Sequence, residues 1–192
     1  QWIGEPKFAR SHEQLASVSA MVSAGGRLFT IVDEGLTADI RIPVRWHLVA
    51  RDAFNGVILW KRPVSTWESH SLFFYHAPFS LHRRLVAVDD VVYATLGYGE
   101  PVTALDAGTG KEIMVYRGTD GTREILCHES ILLLVVSDPN QTSPSTAGAI
   151  MALRTDTGDL LWQLSGKDAD GVLPLSLAAC GDRAVFLNGK DL

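Results

Sequence analysis

The amino-acid sequence predicts an all-β fold made of short antiparallel strands that are joined by tight turns. Two observations carry this prediction: a turn with a glycine at a fixed position occurs three times, and a second hairpin precedes each copy. The composition agrees, because 46% of the 192 residues are apolar and 20% are charged, as in a globular domain with a sizeable core.

The repeated turn consists of an apolar stretch, a polar residue, a glycine four residues later and a bulky apolar residue four residues after the glycine. Its glycines are Gly56, Gly110 and Gly158, which are 110 − 56 = 54 and 158 − 110 = 48 residues apart. Asp52 and Asp106 can accept hydrogen bonds from backbone N–H groups of the turn, and each glycine can supply the positive φ that closes it. We therefore expect a β-hairpin at each copy.

The bulky residue after each glycine occupies a fixed place on the outgoing strand. These residues are Trp60, Met114 and Trp162, and we expect them to pack between neighbouring sheets. A calcium-binding interpretation of the turns is disfavoured, because an EF-hand-like loop needs several oxygen ligands at alternate positions and these turns carry one or two carboxylates.

The other hairpin of each unit comes first along the chain. Its turn lies at Gly25-Gly26, Asp89-Asp90, His128-Glu129 or Gly181-Asp182. Two consecutive hairpins make a unit of four strands over roughly 40 to 50 residues, which is the blade of a β-propeller. The sequence contains three complete units, at about 15–64, 83–118 and 124–166, and half of a fourth at about 174–188. Residues 16–24 follow a sequence that resembles a helix-capping box, but the other units favour a strand there.

Two segments interrupt the units. Residues 65–82 form a long aromatic connection, and residues 137–148 form a polar loop that contains the glycosylation sequon Asn140-Gln141-Thr142. The aromatic connection could be a binding patch or could cover the edge of a sheet. Its aromatic residues are Trp67, Phe73, Phe74, Tyr75 and Phe79.

The same connection carries His70, His76 and His82 at six-residue steps. In an extended segment about 20 Å would separate neighbouring histidines, and only a folded loop could bring them to one zinc or copper ion. We interpret them as surface histidines and predict no metal site.

No catalytic residue is predicted, and cofactor-binding residues are unknown at this point. A Ser-His-Asp set could be assembled on paper from Ser69, His70 and Asp89, but the sequence has no Gly-x-Ser-x-Gly elbow, and we disfavour this interpretation. The sequence Thr109-Gly110-Lys111 is interpreted as a hairpin turn rather than a phosphate-binding loop.

The charge pattern disfavours nucleic acid as a partner, because the formal net charge is −5 and the basic pairs are short. Arg83-Arg84 and Lys61-Arg62 are interpreted as solvated strand ends. No apolar run approaches the roughly 18 residues of a membrane span.

The two cysteines, Cys127 and Cys180, lie 180 − 127 = 53 residues apart and form no Cys-x-x-Cys pair. Their redox state does not follow from the sequence, and we interpret them as buried free thiols. The sequence begins at Gln1 without a basic and apolar leader, so we expect a signal peptide to be absent or removed.

The pattern Ala50-Arg51-Asp52, Gly56 and Trp60, repeated from Ala104 and from Ala152, resembles the repeat of pyrroloquinoline-quinone-type, or quinoprotein-like, propellers. The resemblance covers roughly residues 15–190, with Met114 in place of Trp and Arg154 in place of Asp. It implies an uncharacterised group of exported bacterial propellers with seven or eight blades, related to BamB-like propellers.

The resemblance implies two functions. The favoured one is a non-catalytic binding or scaffold module for a protein or another ligand, in the periplasm or elsewhere outside the cytoplasm. The alternative is part of a quinone- and Ca²⁺-dependent dehydrogenase, with the cofactor near the central axis. Such enzymes use an Asp base and often a vicinal cysteine pair, and no catalytic residue can be carried over to this sequence.

Three and a half blades cannot close a ring, and an open set exposes a sheet edge and apolar faces. We therefore expect the chain to be a fragment, or other chains to complete the ring. The partners implied are the remainder of the propeller or another chain, together with a possible bound protein.

Overall fold

A computed structural model of the chain has an all-β architecture. It describes residues 18–35, 45–65, 83–137, 147–169, 171–173 and 175–188. Three four-stranded antiparallel sheets and one two-stranded sheet follow one another along the chain. The all-β prediction is confirmed.

The first sheet is a meander in which each strand pairs with the next one in the sequence. Val, Ile, Phe and Thr, which favour strands, are common in its first three strands. Its strands are β1 (Val18–Ala24), β2 (Arg27–Asp33), β3 (Trp46–Asp52) and β4 (Ile58–Pro63). The strand predicted for residues 16–24, in preference to a helix, is therefore present from Val18.

The second and third sheets repeat the same order. The second contains β5 (Leu85–Val88), β6 (Val91–Thr95), β7 (Val102–Asp106) and β8 (Glu112–Val115). The third contains β9 (Thr122–His128), β10 (Ile131–Ser137), β11 (Ala147–Arg154) and β12 (Leu160–Ser165). A short 3-10 helix (Gly166–Asp168) precedes the two-stranded sheet of β13 (Ala178–Cys180) and β14 (Arg183–Val185).

The sheets pack face to face, with an apolar layer between each pair. Phe29 and Leu48 of the first sheet pack with Leu85 of the second, and all three are buried. A second layer joins the second and third sheets, and a third layer joins the third sheet to the two-stranded sheet. Strands that are buried on both faces explain the apolar runs of β6 and β10.

The first strands of successive sheets lie next to one another: β1 contacts β5, β5 contacts β9, and β9 contacts β13. The fourth strands therefore lie on the outside of the array. Four-stranded sheets stacked face to face around their first strands are the arrangement of propeller blades. The fold is propeller-like, and the described sheets form an open array.

Candidate functional site

The two ends of the sheets differ in how the strands are joined. Strands alternate in direction, so the first and third connections of each sheet share one end, here called the turn end. Its connections are the tight turns at 25–26, 53–57, 89–90, 107–111, 129–130, 155–159 and 181–182. The opposite end is called the connection end, and its described residues between strands are 34–35, 45, 64–65, 83–84, 96–101, 116–121, 166–169, 171–173 and 175–177.

Hydrogen bonds show that each end is continuous from sheet to sheet. At the turn end, Nη1 of Arg27 lies 2.8 Å from the Asp90 carboxylate of the next sheet. At the connection end, the Ser65 N–H donates to the Leu96 carbonyl over 2.9 Å. The fold therefore presents two distinct faces to a ligand.

At the turn end, the aspartates that open the turns at 53–57 and 107–111 form hydrogen bonds within their own turns. Oδ1 of Asp52 accepts hydrogen bonds from the N–H groups of Phe54 and Asn55 over 2.9 and 3.0 Å. Oδ1 of Asp106 accepts bonds from both the N–H and the hydroxyl of Thr109 over 2.7 Å, and these bonds lower the pKa of Asp106. The prediction that both aspartates accept hydrogen bonds from backbone N–H groups of their turns is confirmed.

The third copy of the turn keeps its backbone with a different side chain. Arg154 occupies the aspartate position and binds the Asp156 carboxylate with Nε and Nη2, over 2.9 and 2.7 Å, which lowers the pKa of Asp156. The Gly158 N–H still donates to the Arg154 carbonyl, and Gly158 has a φ of 76°. Positive φ at the glycine, rather than the aspartate, is therefore the shared requirement.

The bulky residue after each turn glycine packs on the next sheet, as predicted for Trp60 and Met114. Nε1 of Trp60 donates to the Ala107 carbonyl over 2.9 Å, and a Cβ on Gly110 would lie 2.6 Å from Cε3 of Trp60. A Cβ on Gly158 would lie 3.3 Å from the sulfur of Met114. The same prediction is wrong for Trp162, which is 38% exposed because no sheet of the described chain covers it.

At the connection end, charged and aromatic side chains meet between the second and third sheets. The Arg84 guanidinium carbon lies 5.7 Å from the centroid of the Tyr98 ring, and that of Arg123 lies 6.0 Å from it. Nη2 of Arg123 donates to the Tyr98 hydroxyl over 3.2 Å, and Nε donates to the Ser137 hydroxyl. Cation–π contacts of this kind are strongest when the cation is shielded from water. We call Arg84, Arg123, Tyr98 and Ser137 the arginine–tyrosine cluster.

An ion pair between a buried carboxylate and a partly exposed arginine lies beside this cluster, on the other face of β9. Nη1 of Arg83 lies 2.6 Å from Oε1 of Glu124, whose other oxygen accepts a bond from the Leu175 N–H over 3.1 Å. Glu124 is 2% exposed, and burial raises the pKa of its carboxyl even though Arg83 acts in the opposite direction. The pair links the start of the second sheet to the third sheet and to the segment before β13.

Two buried polar atoms have no hydrogen-bond partner among the described residues: the Thr95 hydroxyl and Nε1 of Trp46. Thr95 is fully buried at the end of β6. Its N–H donates weakly to the Arg84 carbonyl, over 3.4 Å, so it lies beside the arginine–tyrosine cluster. An unpaired hydroxyl in such a place costs free energy unless a ligand or water satisfies it.

A groove of about 790 Å³ runs along β4 between the first and second sheets. Its lining includes Arg62, which donates to the Gly110 carbonyl over 3.1 Å, and Lys61, which lies 2.6 Å from a Glu34 carboxylate oxygen. The cations of this groove are therefore already paired within the chain. The arginine–tyrosine cluster is the stronger candidate, because Arg123 meets only neutral groups within the described part of the chain.

Several residues considered from the sequence lie outside the described ranges. They are Trp67, Ser69, His70, Phe73, Phe74, Tyr75, His76, Phe79, His82 and the sequon at Asn140. Asp89, the third member of the hypothetical Ser-His-Asp set, lies in a turn at the turn end with a φ of 51°. Thr109-Gly110-Lys111 belongs to a hairpin turn, as predicted.

Two sequence interpretations are corrected. Arg84 is not a solvated strand end, since it is 4% exposed. Cys127 and Cys180 are free cysteines, as interpreted, but Cys127 is half-buried and Cys180 is exposed. Sequence reasoning missed Arg123 and Glu124. The available signal was a charged pair at the start of an otherwise apolar strand.

No group of three His, Cys, Asp or Glu residues in the described ranges could hold a metal ion. A quinone cofactor of the type implied by the resemblance is held with Ca²⁺ through carboxylate and amide oxygens. Within the described ranges, no three carboxylates come together to contribute to such a ligand set. None of the described helices is long and apolar enough to cross a membrane.

Comparison with known proteins shows the fold and no family. No protein-family model matches the chain, and no curated protein matches it. The computationally designed protein Ika8 is similar with a TM-score of 0.58 at 15% identity, covering 93% of this chain and 44% of that one. The designed protein Ika4 is similar with a TM-score of 0.58 at 16% identity, covering 99% of this chain and 93% of that one.

A quinohemoprotein alcohol dehydrogenase from Comamonas testosteroni is similar over 77% of this chain and 21% of that one, at 16% identity. Its TM-score is 0.47, which is too low to carry a functional argument. The chain thus spans less than half the length of Ika8 and about a fifth of the dehydrogenase.

Proposed function

We propose that the chain is a non-catalytic binding module of a propeller-type protein, and that it holds its ligand at the connection end. The module belongs, in this proposal, to an exported bacterial protein that acts outside the cytoplasm. Binding rather than catalysis is favoured because the described hydroxyl–carboxylate contacts of Thr109 with Asp106 and of Thr157 with Asp159 are hydrogen bonds within hairpin turns.

The observation that carries the proposal is the difference between the two ends. At the turn end, Asp52, Asp106 and Asp156 direct their carboxylates to their own turns. At the connection end, Tyr98 is 41% exposed and contacts Arg123 of the neighbouring sheet. Side chains that come from different sheets and reach the surface are suited to contact a ligand, since functional residues gather on the longer connections of a rigid scaffold.

The proposal is tested by comparing variants at the two ends of the full chain. A partner is captured from an extract of secreted proteins by site-specific photo-crosslinking from position 98, or from position 109 at the turn end. We expect crosslinks from position 98, and Arg123→Gln should weaken them while Thr157→Ala at the turn end should not. Crosslinks only from position 109 would contradict the proposal, and so would reduction of a dye by the chain with pyrroloquinoline quinone and Ca²⁺.

The open array supports a second part of the proposal, closure by a further sheet of the same kind. Leu160, Leu161 and Trp162 of β12 are exposed, whereas Trp60, at the equivalent place, is covered by a turn of the next sheet. We expect the chain to associate in solution through this strand. Its mass by light scattering should exceed that of one chain and should fall in Trp162→Asp, and a monomeric wild-type chain would contradict this part.

A further inference from the structure

We propose that a second copy of this chain binds to an apolar patch on the first sheet. The patch lies on the turn between β3 and β4 and on the first residues of β4, and its side chains are 43 to 85% exposed. This inference goes beyond the proposed function, because the patch lies at the turn end and the ligand is proposed to bind at the connection end. We call four residues the hairpin patch: Phe54, Val57, Ile58 and Leu59.

The other two copies of the turn show that the fold does not require apolar residues at these positions. In all three turns the glycine N–H donates to the carbonyl four residues earlier, over 2.8 to 3.0 Å, and the glycine φ lies between 70° and 76°. The residues equivalent to Phe54 and Val57 are small or charged in the other two sheets: Gly108, Lys111, Asp156 and Asp159. Adjacent large apolar side chains in water are unfavourable and mark interaction surfaces, so a partner accounts for the hairpin patch better than the turn does.

A β-bulge adds Leu59 to the patch and opposes the pairing of β4 with another strand. Ile58 and Trp60 pair with consecutive residues of β3, so Leu59 is the extra residue of β4. A bulge leaves its extra residue unpaired and interrupts the ladder, and edge strands with bulges resist edge-to-edge pairing. We therefore expect the second copy to contact the hairpin patch through side chains rather than through an added strand.

The polar groups around the hairpin patch form hydrogen bonds within the same hairpin. Oδ1 of Asp52 accepts bonds from N–H groups of the turn, and Oδ1 of Asn55 accepts one from the Val57 N–H over 2.9 Å. Nη1 of Arg51 donates to the Gly56 carbonyl over 3.0 Å. Two identical patches of one charge would repel each other. The hairpin patch itself is uncharged, and the two charged residues beside it have opposite signs, so it can face its own copy.

The size of the hairpin patch fits an interface between two copies. Its four side chains expose on the order of 400 Å² of apolar surface. A standard interface buries about 800 Å² on each partner, of which about 450 Å² is non-polar. A two-fold axis brings the same patch of both copies together, so the hairpin patch supplies most of the apolar area that such an interface needs.

A contact at the turn end leaves the connection end of each copy outside the interface. Tyr98 and Arg123 lie at the connection end and are not part of the hairpin patch. A dimer of this kind therefore presents two candidate ligand sites, and a ligand with repeated groups would gain avidity without any new contact.

The experiment measures the mass of the full chain by light scattering over a range of concentrations. Trp162→Asp serves as the background, because it removes the association proposed through β12. We expect this variant to have the mass of two chains, and addition of Phe54→Ser should raise the dissociation constant of the dimer at least tenfold. Phe54→Leu should retain part of the affinity, because it keeps an apolar side chain in the patch.

Met21→Ser in the same background is the matched control. Met21 is 59% exposed on β1, at the opposite edge of the first sheet from β4, and its substitution should leave the dissociation constant unchanged. Thermal midpoints of all variants verify that these exposed substitutions leave the chain folded.

A Trp162→Asp variant with the mass of one chain at every concentration overturns the inference, as does an equal loss of association in Phe54→Ser and Met21→Ser. Binding of a monomeric Trp162→Asp chain to phosphatidylcholine vesicles, lost on addition of Phe54→Ser, would assign the patch to a lipid surface and would also overturn it. If Trp162→Asp is monomeric while crosslinks from position 98 persist, this inference fails and the proposed binding function stands.

Discussion

The turn end and the connection end of the sheets use the same kinds of side chain in different ways. At the turn end, Asp106 binds a residue three positions away in its own turn. At the connection end, Glu124 binds Arg83, 41 residues away, and Arg123 binds Tyr98, 25 residues away. A polar group that is hydrogen-bonded to a residue within four positions stabilises its turn in any tertiary context. A polar group that is bonded to a residue of another sheet keeps that bond only when the two sheets pack together.

Two glycines with positive φ differ in how closely their surroundings are packed. Gly110, in a turn of the second sheet, is covered by Trp60 of the first sheet. A Cβ on Gly118, at the connection end, would meet nothing within 4 Å. A side chain added at Gly110 therefore disturbs the contact between two sheets, whereas one added at Gly118 does not.

The largest expected effect comes from filling a covered turn glycine. Gly110→Ala should lower the free energy of unfolding by about 3 kcal/mol, because a φ of 70° is unfavourable for alanine and its Cβ would overlap Trp60. Gly118→Ala has a φ of 80° without the overlap and should cost about 1 kcal/mol. Urea denaturation of both variants measures the difference, and equal losses would contradict the contrast between these two glycines.

The next largest effect is expected at Trp60, and it tests whether this side chain stabilises the contact between the first two sheets. Trp60→Phe removes the bond to the Ala107 carbonyl and part of the packed ring, and it should cost about 2 kcal/mol. Trp162→Phe changes a ring that the described chain leaves uncovered, and it should cost less than about 0.5 kcal/mol in the monomer. Both free energies of unfolding are measured at a concentration where the chain is monomeric. Comparable losses in the two variants would show that packing Trp60 between sheets does not stabilise the fold.

A pH-dependent effect is expected from Glu124 at the connection end. Burial raises its pKa above the usual 4.5, so the folded chain holds this proton more tightly than the unfolded chain does. Its contribution to stability is complete below about pH 4.5 and is lost as the pH rises through the raised pKa. We expect Glu124→Gln to remove this slope from a plot of unfolding free energy against pH.

Glu112→Gln is the matched control for Glu124→Gln, because Glu112 is exposed on β8 and the charge change is the same. It should leave the slope in place. A slope that survives in Glu124→Gln and vanishes in Glu112→Gln would show that Glu112, and not Glu124, is the group that titrates.

The smallest effect is expected from Asp106, whose contribution to stability depends on pH in the opposite direction to that of Glu124. Bonds from Thr109 lower its pKa below 3.8, so its contribution to stability is present above about pH 3.8 and is lost as the pH falls through the lowered pKa. Asp106→Asn keeps a turn acceptor but cannot titrate, so the thermal midpoint should fall less in acid than that of the wild type. Asp120→Asn, at the connection end, should retain the acid-dependent fall, and an identical response of both variants would refute the assignment.

The turn end was predictable from the sequence because its interactions are local. The spacing of Asp52 and Gly56 predicted the hairpin that β3 and β4 form, and the apolar residue at position 60 was placed correctly between sheets. Even the third copy followed the pattern, since the backbone bond from Gly158 to Arg154 does not need an aspartate. Positive φ and short-range hydrogen bonds leave a signature within a few residues.

The candidate site was not predictable in the same way. Arg84 was interpreted as a solvated residue because a basic pair before a strand usually is, yet it is buried between sheets. Arg123 owes its direction to a bulge in β9, and no spacing rule places Arg84, Tyr98 and Arg123 together. Their positions are separated along the chain and become neighbours only when the second sheet stacks on the third.

The sequence by itself determined the strands, the tight turns and the four-stranded units of this protein, because periodic apolar residues and turn glycines act over a few residues. The tertiary structure alone decided which tryptophan is covered, which arginine is buried, and which end of the sheets carries a cluster of charge. The physical reason is that desolvation and pairing of charged groups depend on neighbours from other sheets, and those neighbours are set by packing across the whole array.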